Sequence, residues 1–188
     1  MDSTFELCWG TCQGVALPEL IDIAGAAGFA ALTIPPELYF FSLRDGFRDA
    51  ELRERLLEAG TRVTVLEPFT HGLPGIPEPG TVDPIWRSLV QHTEHECYSA
   101  AEALGATTIS IAHFLGGSGH RAELVDTLGR ICENAEQRGL RIAVEFIPST
   151  GFPDAFTTAS MIEEVGAANL GLTFDTWHFN RSGGRLRT

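Results

Sequence analysis

A chain of 188 residues, 44% hydrophobic and 20% charged, has the composition of a soluble globular protein and enough sequence for one sizeable core. Its formal net charge of −12 excludes a nucleic-acid binder of the phosphate-tracking kind, which needs clustered Lys and Arg, and disfavours an anionic membrane surface. No apolar run approaches the ~18 residues of a membrane helix, and Met1-Asp2-Ser3-Thr4 lacks the basic start of a secretory signal, so the expected setting is the cytoplasm, with neither nucleic acid nor membrane as partner.

In chain order, a first strand is expected over Phe5 to Trp9. One pattern then recurs: an amphipathic helix, a Gly, one to three residues, and a β-rich run. Gly28 precedes Ala31-Leu32-Thr33-Ile34, and Gly60 precedes Val63-Thr64-Val65-Leu66. Gly105 precedes Thr108-Ile109-Ser110-Ile111, and Gly139 precedes Ile142-Ala143-Val144. A last copy has Gly166 before Leu170-Gly171-Leu172-Thr173-Phe174. Gly directly after a helix fits the left-handed cap that closes it. The runs are apolar nearly throughout, as strands covered on both faces should be.

Asp83-Pro84 reads as an N-cap and first helical residue, and Thr157 marks the start of the helix holding Met161, Ile162 and Val165. The longest helix is expected from about Pro84 to Leu104, with room for a break. His92 and His95 read as one exposed helix face beside Glu94 and Glu96. Four cysteines are present and none forms a CxxC pair; Cys97 and Cys132 are expected as buried free thiols, while Cys8 and Cys12 lie near the first strand.

Six strands with five intervening helices imply an α/β fold of parallel strands and right-handed crossovers. An open doubly wound sheet and a (β/α)8 barrel both fit. Trp9-Gly10-Thr11-Cys12-Gln13-Gly14 does not supply the GxGxxG of a dinucleotide-binding turn. Long loops after strand ends, such as Glu67-Pro68-Phe69-Thr70-His71-Gly72-Leu73-Pro74-Gly75, suit the rim of a barrel. Ile76-Pro77-Glu78-Pro79-Gly80 leads from rim to helix, and no linker divides the chain, so residues 1–188 read as a single domain. The expectation is a TIM-barrel-type (β/α) repeat with six of eight units, incomplete at its C-terminal end.

Chemistry concentrates in Val144-Glu145-Phe146 and in Phe174-Asp175-Thr176-Trp177-His178. Each is an apolar strand-like run ending in a metal-capable side chain, and Glu145 and Asp175 stand 30 positions apart, about one strand–helix unit. Neighbouring strand ends of a parallel barrel converge on one face, where such barrels keep their active sites. Glu145, Asp175 and His178 therefore point to a divalent-metal site. Carboxylates and imidazole together suit Mn²⁺, Mg²⁺, Co²⁺ or Zn²⁺, and oxygen-rich sets lean towards Mn²⁺ and Mg²⁺. A metal held by two adjacent oxygens of a sugar stabilises an enediolate, and a carboxylate beside it can move the proton.

Glu67, at the end of the third strand, His71 and His113, after the third and fourth, and Trp9, at the end of the first, are candidates for lining a polyol pocket. Their competing readings are a loop salt bridge, structural histidines and core packing. Arg181 can bind an anionic substrate group or stand solvated in its loop. Gly116-Gly117-Ser118-Gly119 lacks the GKS or GKT of a Walker loop and reads as a flexible rim turn.

The run Leu172-Thr173-Phe174-Asp175-Thr176-Trp177-His178-Phe179, with Val144-Glu145-Phe146-Ile147-Pro148 before it, resembles the sugar phosphate isomerase/epimerase family of xylose-isomerase-like TIM barrels. That family contains ketose 3-epimerases, hydroxypyruvate isomerases, inosose dehydratases and 3-dehydroshikimate dehydratases. The resemblance implies that Glu145 is both a metal ligand and an acid/base carboxylate, and that Asp175 is the second ligand. It implies that His178 contacts a substrate oxygen, a catalytic role; by the oxygen-rich donor set, Mn²⁺ is the leading cofactor expected. It also implies a His and a Glu from strands 7 and 8 to complete the shell, whereas this sequence ends at Arg185-Leu186-Arg187-Thr188. The expected activity is isomerisation or epimerisation of a sugar or related polyol. The alternatives are a metal-dependent dehydratase on the same scaffold, or a non-catalytic fragment or subunit. The unpaired edges of strands 1 and 6 suggest a homo-oligomer or a completing chain as partner.

Overall fold

The computed structural model describes residues 5–117 and 119–185. Met1–Thr4, Ser118 of the glycine loop and the last three residues of the Arg185–Thr188 tail lie outside the described residues. Six strands form one sheet: β1 (Glu6–Cys8), β2 (Ala31–Ile34), β3 (Val63–Phe69), β4 (Thr108–Ala112), β5 (Arg141–Glu145) and β6 (Leu170–Thr173). They lie in sequence order, and every neighbouring pair is parallel. A doubly wound sheet reverses its strand order at a switch point. This sheet does not reverse, which selects the barrel-type winding.

The helices are α1 (Leu17–Ala26), α2 (Pro36–Arg44), α3 (Asp49–Glu58), α4 (Pro84–Val90), α5 (Glu94–Leu104), α6 (Arg121–Glu136), α7 (Ala155–Val165) and α8 (Thr176–Arg181). Each main helix offers one apolar stripe to the sheet. In α1 it is Leu17, Leu20, Ile21 and Ala24, and in α6 it is Leu124, Leu128, Ile131, Cys132 and Ala135, all buried. These spacings of three and four place the side chains on one helical face. They pack on Leu32, Ile34, Leu66, Ile109, Ile111, Ile142 and Val144 of the strands in one core cluster. Cys97 and Cys132 are free and buried, as expected. Among the described residues no helix is long and apolar enough to cross a membrane.

The five glycines that mark helix ends, Gly28, Gly60, Gly105, Gly139 and Gly166, all take positive φ. At Gly105 (φ 74°) the cap N–H returns to the Ala101 carbonyl, and the chain turns into β4 within three residues. A side chain there would clash with its own backbone.

Four expectations need correction. β1 stops at Cys8, and Trp9 opens a short 3₁₀ turn running to Cys12. The β2–β3 crossover carries two helices, α2 and α3, not one. The long helix does break, at residues 91–93, because Thr93 caps a new one: its hydroxyl accepts from Glu96 N–H (3.3 Å), while the Glu96 carboxylate accepts from Thr93 N–H (2.8 Å). His92 therefore lies in the break, stacked on Phe40 with ring centroids 5.0 Å apart, rather than on a helix face with His95. Finally, the cap of α7 is Asp154, not Thr157. The Asp154 carboxylate accepts from Phe156 N–H (2.9 Å), Thr157 N–H (2.8 Å) and the Thr157 hydroxyl (2.7 Å).

Candidate metal centre

Strand register places the chemistry. Ala112 pairs with Glu145, and Glu145 pairs with Thr173, so the C-terminal ends of β4, β5 and β6 stand level. Glu145 is the last residue of β5, between fully buried Val144 and Phe146. Two residues beyond β6, Asp175 serves as the N-cap of α8, its Oδ1 accepting from His178 N–H at 2.7 Å. That cap fixes the three-residue step between Asp175 and His178. One ligand atom from each of Glu145, Asp175 and His178 falls within 4.8 Å of the others.

Burial, then the nearby charges of Glu67 and Asp175, push the Glu145 carboxyl up to about 7. Two carboxylates and an imidazole thus crowd together at the cost of a carboxylate that resists ionisation. A divalent cation relieves that cost. Donors on one ion lie at most about 4.3 Å apart when the bonds are ~2.1 Å, so the observed span needs only a small side-chain adjustment. The residues present fit such an ion, and Glu145 and Asp175 are the carboxylates that would hold it.

The three residues open onto a cavity of about 480 Å³. Glu67, Glu145, Thr173, Asp175 and His178 form its polar wall, and Trp9, Trp86, Leu89, Phe114 and Ile147 its apolar one. Glu67 is anchored from the neighbouring strands: the Thr33 hydroxyl donates to its Oε1 (2.6 Å), and the Cys8 thiol lies 3.7 Å from the same oxygen.

The structure thus brings Trp9, Glu67, Glu145, Asp175 and His178 together around one cavity. Three other sequence candidates lie outside its lining. His113 is fully buried, its Nε2 donating to the Pro74 carbonyl (2.7 Å) and its Nδ1 accepting from Gly151 N–H (3.2 Å). With both nitrogens engaged, it ties the β3, β4 and β5 loops together. His71 donates from Nδ1 to the Val90 carbonyl (3.0 Å), joining the loop after β3 to the end of α4. The Arg181 guanidinium sits over the Trp177 ring, 4.9 Å from its centroid. Sequence reasoning missed Cys8, Thr33, Trp86 and Phe114. Cys8 ends β1 and was accessible to the strand-end rule that found Trp9. Trp86 reaches the cavity from α4, a placement no local pattern carries.

Comparison with known proteins gives a consistent picture of the fold. The chain is similar to the IolI protein solved with a bound zinc atom (TM-score 0.78, 17% identity), over 97% of this chain and 66% of that one. It is similar to the probable 3-DHS dehydratase AsbF from Bacillus anthracis (TM-score 0.73, 16% identity), over 97% and 66%. It is also similar to D-psicose 3-epimerase solved with D-fructose (TM-score 0.69, 16% identity), over 95% and 65%. The chain therefore spans about two thirds of the length of these structures. No curated protein matches the sequence. A family model described as xylose isomerase-like TIM barrel matches residues 21–186, nearly the whole chain. The chain belongs to the xylose isomerase-like TIM barrel family.

Proposed function

We propose that this chain carries a divalent-metal-dependent site for isomerising or epimerising a small sugar or related polyol, in the cytoplasm, with Mn²⁺ as the ion. The observation that carries the reading is the convergence of Glu145, Asp175 and His178 at the ends of β5 and β6, on the wall of a cavity of sugar size. Glu145 and Asp175 would hold the cation. A cation held there would supply Lewis acidity to the substrate's oxygens and so ease removal of a proton from the neighbouring carbon.

Glu145, on the wall of the same cavity, is also proposed as the carboxylate that takes and returns the substrate proton. Glu67, fixed by Thr33, presents a hydroxyl acceptor in the same cavity. Trp9 and Trp86 give the carbon face of a sugar an apolar wall and keep water from it. The similarity to an epimerase solved with D-fructose supports this substrate class. Similarity to the IolI protein with its zinc supports a divalent ion, and the oxygen-rich pair favours Mn²⁺. Because the chain spans about two thirds of these structures, the remaining donors are proposed to come from further strands, in this or another chain.

A dehydratase is the second reading, favoured by the similarity to the probable dehydratase AsbF. It needs the same proton removal, followed by loss of a hydroxyl as water. Incubation of the Mn²⁺-loaded protein with a panel of ketoses and cyclic polyols in D₂O tests both. An isomerase or epimerase returns a product heavier by one deuterium and otherwise of conserved mass, and a lyase returns one lighter by water. Substrates recovered unchanged across the panel, with neither deuterium gained nor water lost, would contradict both.

A further inference from the structure

We infer that the sugar or polyol taken by this cavity carries an ammonium group, held by Glu67 against an aromatic wall of Trp9, Trp86 and Phe114. The inference rests on the reading of the cavity as a polyol site given above, and it names the substrate class more closely.

The charge of the lining points first. Three carboxylates line the cavity, Glu67, Glu145 and Asp175, and no Lys or Arg does among the described residues. A phosphorylated or acidic sugar finds no guanidinium or ammonium there to pair with. A divalent ion offsets the charge of two carboxylates, and Glu145 and Asp175 are the two that stand together with His178. Glu67 lies outside that group, so its charge is left over. A carboxylate in a partly enclosed site is stabilised by a cation that completes its pairing.

The hydrogen bonds of Glu67 leave one oxygen for that cation. The Thr33 hydroxyl donates to Oε1 (2.6 Å), and the Cys8 thiol lies 3.7 Å from the same atom. Both contacts fall on Oε1, and Oε2 has no hydrogen-bond partner among the described residues. The carboxylate is thus steadied through one oxygen and open at the other. A hydroxyl can donate to Oε2, but an ammonium adds a full opposite charge to the same bond.

The aromatic side chains are an independent sign. Trp9, Trp86 and Phe114 come from the turn after β1, from α4 and from the turn after β4, and all line the cavity that holds Glu67. The Trp86 and Phe114 rings meet with centroids 6.3 Å apart, tilted by 60°, and Trp86 stays exposed. The face of an aromatic ring attracts a cation within about 6 Å of its centroid, and Trp does so best. A neutral sugar can stack on such a wall, but it leaves the spare carboxylate unpaired. An ammonium satisfies both the rings and Glu67.

The test compares two open-chain polyols that differ at one end only: glucamine, with an amine protonated near neutral pH, and sorbitol, with a hydroxyl. Each is titrated into the protein with Mn²⁺ present, and binding is followed by tryptophan fluorescence and by calorimetry. Wild type is expected to bind glucamine about tenfold more tightly than sorbitol, with the preference shrinking as salt rises. Glu67→Gln, shown to be folded by circular dichroism, is expected to bring glucamine down to the affinity of sorbitol. Equal affinity for the two polyols in the wild type overturns the inference and leaves the polyol reading standing. A preference that survives Glu67→Gln in the folded variant also overturns it. Binding of neither polyol by the wild type overturns both.

Discussion

Glu145 has a carboxyl pushed up to about 7 by burial and by the neighbouring Glu67 and Asp175 charges, against about 4.3 for a free glutamate. Between those values the folded metal-free protein keeps a proton that the unfolded chain releases. The stabilising effect of that proton is complete below the unfolded value and is lost as pH rises through about 7, at a cost on the order of 3 kcal/mol. Glu145→Gln, which cannot ionise, should therefore raise the melting temperature of the metal-free protein at pH 8 and leave it nearly unchanged at pH 4. A Gln variant no more stable than the parent at pH 8 would count against the crowded-carboxylate picture. The same proton competes with metal, so affinity should weaken as pH falls below 7, and chelation should expose the pH dependence of stability. His113 has the opposite character. Replacing it by Ala leaves the Pro74 carbonyl and Gly151 N–H without their partner, and should cost about 1–3 kcal/mol in denaturant unfolding. The imidazole was visible in the sequence as a strand-end histidine. Its burial was not, because it depends on loops 39 and 38 residues away meeting over β4.

Helix ends were the most legible elements, and they show why legibility stops. Gly after an apolar periodic run located five caps because only Gly takes positive φ without strain. The start of α7 was placed three residues late. Asp154 and Thr157 are both capping types, and the sequence does not say which one bonds to which. In the fold Thr157 donates to Asp154, and Asp154 gathers two backbone N–H groups. Asp154→Ala should destabilise the protein by about 1 kcal/mol, whereas Thr157→Val should cost less. Chemical denaturation of the two variants checks the order, and a larger loss for Thr157 would return the cap to that residue. The break between α4 and α5 had a local signal in Thr93 and Glu96, a capping box inside an otherwise continuous helical pattern.

At the scale of the whole molecule, the parallel order of six strands levels their C-terminal ends and makes residues 30 positions apart into neighbours. That part of the site followed from the strand-ending motifs alone. The apolar wall from Trp86 and Phe114 did not, because helix and loop residues enter the cavity through tertiary packing. Among the described residues the sheet also has two edges, β1 and β6. Phe156, Phe174 and Trp177 are exposed, and Phe156 and Phe174 both pack on Phe179. An unpaired edge beside exposed aromatics favours association, while the net charge of −12 opposes it. Self-association should therefore strengthen as salt screens that repulsion, and Trp177→Glu should weaken it. Sedimentation equilibrium across salt concentrations checks this, and a constant monomeric mass would contradict it. Isothermal titration of the metal-free protein with Mn²⁺, with Glu145→Ala beside it, decides whether two strand ends assemble a metal centre. Saturable one-site binding that the variant loses is expected, and heat indistinguishable from dilution in a folded wild-type protein would rule the centre out.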